Sequence, residues 1–248
     1  MSGHSKWHSI KHKKAAIDGK RGKIFTRIIR EVTIAAKMGG GDQTGNPRLR
    51  KAVSDAKDVN MPWKNIENAI KKGTGEIEGA IYEEVTYEGY GPGGVAILVD
   101  GTTDNRNRTV AEIKHIFSKN HGVMGAVGSV GYLFRKVGQI HIARDGADED
   151  RLMETALDAG AEDVQVEDEG FTVLTPPHAL LEVREKLQAA KFAILQAEVA
   201  NLPETTKAVD GKDAEDVLKL ISALEDNDDV QSVSSNHDIP DEILERFH

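Results

Sequence analysis

The sequence contains no cysteine, which excludes disulfides, thiolate metal sites and a cysteine nucleophile. No apolar run approaches the ~18 residues of a membrane-spanning helix. The N-terminus is positively charged but lacks the apolar stretch of a secretory signal. We therefore expect a protein of a reducing compartment, most simply the cytoplasm, with no membrane partner.

Hydrophobic residues make up 39% of the 248 residues and charged residues 29%, which is typical of a soluble globular protein of one to three domains. The net charge of −9 is distributed unevenly. Residues 1–75 hold 17 Lys+Arg and 6 Asp+Glu, a net charge of +11, whereas residues 76–248 hold 15 and 35, a net charge of −20. This asymmetry indicates one part that touches a polyanion and another that lies away from phosphate or faces a basic protein.

The basic excess is strongest at the start of the chain, where Gly3–Arg30 contains nine Lys or Arg residues and one acid, Asp18. Gly19 and Gly22 are expected to break any helix there, so residues 1–22 are predicted to form a flexible basic arm. Such a segment is either a solvated tail or a nucleic-acid contact. We favour the contact, because lysine and arginine neutralise phosphates, Trp7 can stack on a base, and the basic excess continues into the folded region. The predicted nucleic-acid-binding residues are Lys6, Trp7, Lys11, His12, Lys13, Lys14, Lys20, Arg21, Lys23, Arg27 and Arg30.

Residues 23–78 are predicted to form a three-helix domain. Apolar residues from Phe25 to Ala36 recur at helical spacing before Gly39-Gly40-Gly41. A second helix is expected from Pro47 and a third from Pro62, with Gly73 as its stop. Trp63 falls in the apolar period of the third helix, so we assign it to the core rather than to base stacking.

Two predicted strands, Glu84–Glu88 and Val95–Val99, flank the glycine-rich segment 89–94. This segment is a turn rather than a nucleotide site, because phosphate-binding loops lead into a helix. Asn105 is the expected N-cap of the next helix. Arg106 and Arg108, at that helix start, either bind phosphate or RNA backbone or pair with nearby acids, and the sequence leaves both open.

The remaining pattern predicts an α+β multidomain protein in which two α/β domains follow the helical one. A strand at 131–135 is followed by strand, helix, two strands, helix and strand between residues 139 and 199, the βαββαβ order of a ferredoxin-like domain. The last helix (214–224) and strand (230–234) are expected to return to the earlier sheet. The predicted division is a helical domain at 23–78, a discontinuous middle domain at 79–136 plus 205–248, and an inserted ferredoxin-like domain at 137–204.

No catalytic constellation is visible. His4, His8 and His12 share one helical face, but the surrounding lysines repel a dication and no carboxylate is near. Gly128-Ser129-Val130 lacks the glycine spacing of a nucleophile elbow. We expect no enzymatic activity, no cofactor, no metal and no small-molecule substrate.

Three blocks carry a family resemblance: residues 3–23 (from Gly3-His4-Ser5-Lys6-Trp7 to Lys23), residues 87–94 and residues 103–109. Together they closely resemble the YebC/PmpR family, and the resemblance covers the whole chain. It implies a three-domain cytoplasmic protein, helical first and α/β after. Members are described as probable transcriptional regulators, and relatives include a mitochondrial translational activator of a cytochrome oxidase subunit.

Two functions therefore remain open. A DNA-binding transcriptional regulator usually reads bases with a helix in the major groove, and no helix-turn-helix spacing is visible here. The alternative is a ribosome-associated translation factor that binds ribosomal RNA and assists proline-rich stretches. That role needs charge that follows the backbone and a flexible element that orders on RNA.

Overall fold

The computed structural model describes residues 21–167 and 170–247. In this part of the chain, no helix is long and apolar enough to cross a membrane. The elements in chain order are α1 (Arg21–Gly39), α2 (Pro47–Asp58), α3 (Trp63–Thr74), β1 (Glu83–Tyr90), β2 (Ala96–Thr103), α4 (Arg106–Lys119), β3 (Val123–Met124), β4 (Phe134–Ala143), α5 (Glu149–Asp158), β5 (Asp163–Val166), β6 (Gly170–Thr175), α6 (Leu180–Ala189), β7 (Ile194–Pro203), β8 (Lys207–Ala208), α7 (Gly211–Glu225), β9 (Val230–Ser235), β10 (His237–Asp238) and α8 (Asp241–Arg246). The predicted α+β class with an N-terminal helical part is confirmed.

Helices α1 to α3 form the helical region, and they pack around one core that includes Val32, Leu49 and Ile66. Asn46 links the first two helices. Its side-chain oxygen caps α2 by accepting from the Leu49 amide at 3.0 Å, and its amide nitrogen donates to the Ala35 carbonyl at 2.7 Å. One buried side chain thus satisfies backbone groups that both helix ends would otherwise leave unpaired.

Two glycines lie inside helices that the sequence analysis expected them to interrupt. Gly22 is the second residue of α1, and α3 runs through Gly73 to its left-handed cap at Gly75. Gly73 faces α1, where a Cβ atom would lie 2.3 Å from the Thr33 carbonyl oxygen and 2.7 Å from the Ala36 Cβ. Gly73 is therefore required for the close approach of α1 and α3 rather than for helix termination.

The first sheet has the antiparallel order β3-β1-β2-β9, and helices α4 and α7 contribute Phe117 and Leu218 to its core. Strand β9 comes from the far end of the chain and pairs with β2, with Val233 opposite Val99. Strand β9 therefore extends the sheet that β1 and β2 began, and α7 packs on its core, as the sequence predicts for this helix and strand. The exact division of the chain into domains stays a prediction.

The second sheet has the order β5-β6-β4-β7, with α5 and α6 packed on its core face. Element order and antiparallel pairing are those of a ferredoxin-like fold, so this prediction is confirmed. The strand predicted at 131–135 is wrong. Residues 131–133 form a 3-10 turn, and β4 begins at Phe134 and belongs wholly to the second sheet.

The loop before that turn is held by Glu88 of β1. Its buried carboxylate accepts hydrogen bonds from the backbone amides of Gly128, Val130 and Gly131 at 2.6–2.7 Å. Burial works against ionisation, but these three donors hold the pKa of Glu88 below its usual value. The carboxylate explains why residues 131–133 turn instead of extending an earlier strand.

We expect Gly73→Ala to destabilise the protein by about 1–3 kcal/mol, because the added methyl group meets backbone atoms of α1 that cannot move independently. Gly22→Ala is the matched control. A Cβ there meets nothing within 4 Å, so alanine should be neutral or stabilising by up to about 1 kcal/mol. Urea unfolding of both variants measures the difference, and equal stability would contradict the close-contact role of Gly73.

Candidate nucleic-acid interface

The most connected polar side chain near the predicted binding residues is Asp229, just before β9, which is only 2% exposed. One carboxylate oxygen accepts from the Arg30 guanidinium of α1 at 2.8 Å. The other accepts from Arg108 at 2.8 Å and from the Thr109 hydroxyl at 2.6 Å, both on α4. One carboxylate thus joins the helical region to both α4 and the entry of β9.

Because Asp229 is buried, desolvation opposes its ionisation and would raise its pKa. The hydrogen bonds from Arg108 and Thr109 and the charge of Arg30 outweigh this effect and hold the pKa below its usual value. The pKa of Arg108 is raised by its hydrogen bonds to Asp229 and Asp104. Asp229 and Arg108 therefore both stay ionised at neutral pH.

Two further cations of α1 face the same segment, residues 225–229, which we call the acidic turn. The Lys23 ammonium donates to the Asp226 carboxylate at 3.1 Å and to its carbonyl at 3.0 Å. Arg27 donates to the Glu225 carbonyl. Burial lowers the pKa of Arg27, and the carboxylates of the acidic turn oppose that shift.

Three of the predicted nucleic-acid-binding residues, Lys23, Arg27 and Arg30, are therefore engaged by the acidic turn within the same molecule. Arg21 begins α1, and its side chain is outside the described part. The remaining predicted contacts also lie outside the described residues: Lys6, Trp7, Lys11, His12, Lys13, Lys14 and Lys20.

For Arg106 and Arg108 the sequence predicts either an anion contact or internal pairing. Arg106 pairs with Glu83 at 3.1 Å, and Arg108 pairs with Asp104 and Asp229 at 2.9 and 2.8 Å. Asn105 caps the helix as expected, since its side chain accepts from the Arg108 amide. Both arginines thus form ion pairs within the protein. That they also contact a phosphate stays a prediction.

Two further arginines, which no sequence pattern identifies, join the helical region to the rest of the protein. Arg48 pairs with Glu31 of α1 at 2.7 Å and with Glu84 of β1 at 2.7 Å. Arg184, a buried residue of α6, donates to Asp58 of α2 at 2.8 Å. These pairs join residues up to 126 positions apart, so sequence spacing gave no signal for them.

Several cations of α2 and α3 are exposed to solvent. Arg50, Lys57, Lys64 and Lys72 are exposed, and among the described residues Arg50 and Lys72 form no ion pair. Trp63 is 52% exposed, and the Lys57 ammonium lies 5.9 Å from its ring centroid. The assignment of Trp63 to the core is wrong. As the first residue of α3, it projects past the helix end instead of into the three-helix contact.

Within residues 21–167 and 170–247, no group of three or more histidines or carboxylates is arranged to hold a metal ion.

Comparison with known proteins assigns the family. The family model described as the TACO1/YebC protein N-terminal domain matches residues 5–76. The model described as the TACO1/YebC second and third domain matches residues 82–237. The chain belongs to the TACO1/YebC family.

Relatives in this family cover the chain from end to end. A protein of Geobacter sulfurreducens named "Probable transcriptional regulatory protein GSU1074" is 57% identical, with 100% of both chains covered. One of Syntrophus aciditrophicus named "Probable transcriptional regulatory protein" is 58% identical, covering 100% of this chain and 99% of its own. The crystal structure of a conserved hypothetical protein, Aq1575, from Aquifex aeolicus is 49% identical and has a TM-score of 0.86, covering 95% of this chain and 97% of that one. The resemblance to the YebC family is confirmed.

Replacing Asp229 with asparagine should destabilise this TACO1/YebC member by about 3 kcal/mol, because Arg30 loses its buried counter-charge. The matched control is Asp226→Asn, whose exposed pair with Lys23 should be worth less than about 1 kcal/mol. Urea unfolding at neutral pH measures both, and equal losses would contradict a special role for Asp229.

The destabilisation caused by Asp229→Asn should depend on pH. The folded-state pKa of Asp229 is depressed, so its contribution is present above the unfolded-state value of about 3.9 and is lost as pH falls through the folded-state value. The difference in unfolding free energy between the wild type and Asp229→Asn should therefore narrow as the pH is lowered from 7 to about 3. A constant gap between them would contradict the assigned ionisation.

Proposed function

We propose that this protein regulates transcription by binding DNA through its basic N-terminal third. The observation that carries the proposal is the segregation of charge, with a net +11 in residues 1–75 and −20 in residues 76–248. The names of the relatives as probable transcriptional regulatory proteins support it. On an otherwise acidic protein, phosphate attracts the basic face and repels the acidic part.

The proposed contacts divide into two groups. The first is the basic segment before α1, with Lys6, Lys11, Lys13, Lys14 and Lys20 as phosphate contacts and Trp7 and His12 between them. The second is the exposed cation set of α2 and α3, namely Arg50, Lys57, Lys64 and Lys72.

In this proposal the cations of α1 are not primary DNA contacts. Arg27 and Arg30 hold the acidic turn, so DNA reaches them only where that turn moves away. Lys23 is intermediate, because its side chain is 42% exposed while it pairs with Asp226. Arg27 and Arg30 hold α1 against the acidic turn.

Binding of this kind depends on salt, because each neutralised phosphate releases counterions. With about six phosphates contacted, the logarithm of the DNA association constant should fall with the logarithm of salt concentration at a slope of about −5. Changing Lys11, Lys13 and Lys14 together to glutamine should reduce the slope to about −2 to −3. Fluorescence anisotropy with labelled duplex DNA between about 50 and 200 mM salt measures the slope.

The matched control changes three exposed lysines of the acidic part, Lys114, Lys186 and Lys212, to glutamine. This variant loses the same formal charge but should keep the wild-type slope. If both triple variants change the slope equally, net charge rather than the basic segment governs binding, and the assignment of the contacts fails.

In-cell crosslinking followed by sequencing of the bound nucleic acid tests the choice of DNA. Recovery of discrete promoter fragments supports the proposal. Enrichment of ribosomal RNA without promoter DNA would replace it with the ribosome-associated translation factor that the sequence analysis kept as its alternative.

A further inference from the structure

An exposed aromatic surface lies where α2 meets α3. Trp63 is the first residue of α3, follows Pro62, and leaves half of its surface in water. Indole is among the largest apolar groups in proteins, and leaving it in water forgoes much of the free energy that burial would contribute. A tryptophan in this position is thus available for a partner that can cover it.

The charges around Trp63 indicate which chemistry that partner has. The Lys57 ammonium lies over the ring, and the neighbouring Lys64 side chain is 72% exposed. Arg50 precedes Lys57 by seven residues, two helical turns, so both extend from the same side of α2. The surface therefore combines one aromatic group with several cations.

The two acids closest to Trp63 in the sequence, Asp58 and Glu67, are already engaged. Glu67 is bracketed by Lys64 at 3.6 Å and Lys71 at 2.6 Å, and Asp58 accepts from Arg184 at 2.8 Å. The charge that remains around the indole is positive. An apolar protein partner would have to desolvate these cations, whereas a phosphate chain would pair with them while its bases cover the ring.

We propose that Trp63 is a stacking site for an unpaired base of a nucleic-acid strand, with Lys57 and Lys64 contacting the flanking phosphates. This proposal rests on the proposed function, and it adds that the α2–α3 surface binds nucleic acid in a single-stranded or base-extruded conformation. Bases inside a duplex are already stacked on one another, so the indole has an open base face to cover only in a single strand or at an extruded base.

The test compares Trp63→Leu, which keeps apolar bulk but has no aromatic face, with Trp63→Phe, which keeps an aromatic face. The probes are labelled oligothymidylate and oligouridylate of about 20 nucleotides, and a DNA duplex of the same length. Fluorescence anisotropy at one fixed salt concentration gives the affinities. The matched control is Tyr132→Leu, since Tyr132 is an exposed aromatic residue, 71% accessible, outside the helical region.

Trp63→Leu should lower single-strand affinity about five-fold or more and change duplex affinity by less than about two-fold. Trp63→Phe should retain most of the single-strand affinity, and Tyr132→Leu should retain all of it. The two oligonucleotides distinguish the source of the strand, because preference for one over the other identifies DNA or RNA. Equal losses for duplex and single strand, or no loss in Trp63→Leu, would overturn the proposal.

Fluorescence gives a measurement that does not depend on how Trp63 variants fold. The chain has two tryptophans, Trp7 and Trp63, so Trp7→Phe leaves Trp63 as the single indole fluorophore. Saturation with oligothymidylate at low salt should quench this emission, because a stacked base contacts the ring. Unchanged emission at saturation would overturn the stacking site while leaving the proposed function standing. Absence of wild-type binding to every probe would instead refute the proposed function, and the stacking site with it.

Discussion

The contact between Arg30 and Asp229 is the constraint on which the arrangement of this molecule depends. Their charges meet at 2.8 Å between parts of the chain 199 residues apart, in a place where Asp229 has almost no contact with water. Displacement of α1 would remove one of the two arginines that pair with this buried carboxylate, and breaking a buried ion pair is costly. Arg108 and Thr109 share the same carboxylate, and displacement of α1 would therefore also disturb the start of α4.

This constraint explains how a basic helical region stays attached to a strongly acidic remainder. Attraction between opposite charges brings the two together, but exposed pairs such as Lys23–Asp226 contribute little by themselves. The buried pair and the second attachment through Arg184 give the contact a defined geometry. Part of the positive charge of residues 1–75 is thereby neutralised internally, whereas Arg50 of α2 and Lys72 of α3 are exposed and form no ion pair among the described residues.

Local features were predictable because their causes lie within one turn or one strand. The buried positions of α2, namely Leu49, Ala52, Val53 and Ala56, follow from helical spacing, and Asn105 caps α4 through its neighbour Arg108. The βαββαβ order could likewise be read from alternating strand and helix patterns. Features set by distant partners could not. Nothing near Arg30 in sequence indicates Asp229, and nothing near residues 131–133 indicates the carboxylate of Glu88 that turns them.

Trp63 and Gly73 show that contacts between neighbouring helices are also not predictable from sequence spacing. Periodicity places both on α3 but does not say where the neighbouring helices end or how closely they approach. Trp63 is half exposed, and Gly73 lies against Thr33 and Ala36 of α1. The same limit applies to the charges of the candidate interface. A run of lysines and arginines in the sequence determines the sign of the charge on a surface, but the fold determines which of these residues form ion pairs within the protein. In this molecule the acidic turn provides carboxylates and carbonyls to Lys23, Arg27 and Arg30, so any phosphate approaching α1 must compete with an anion that is already bound there.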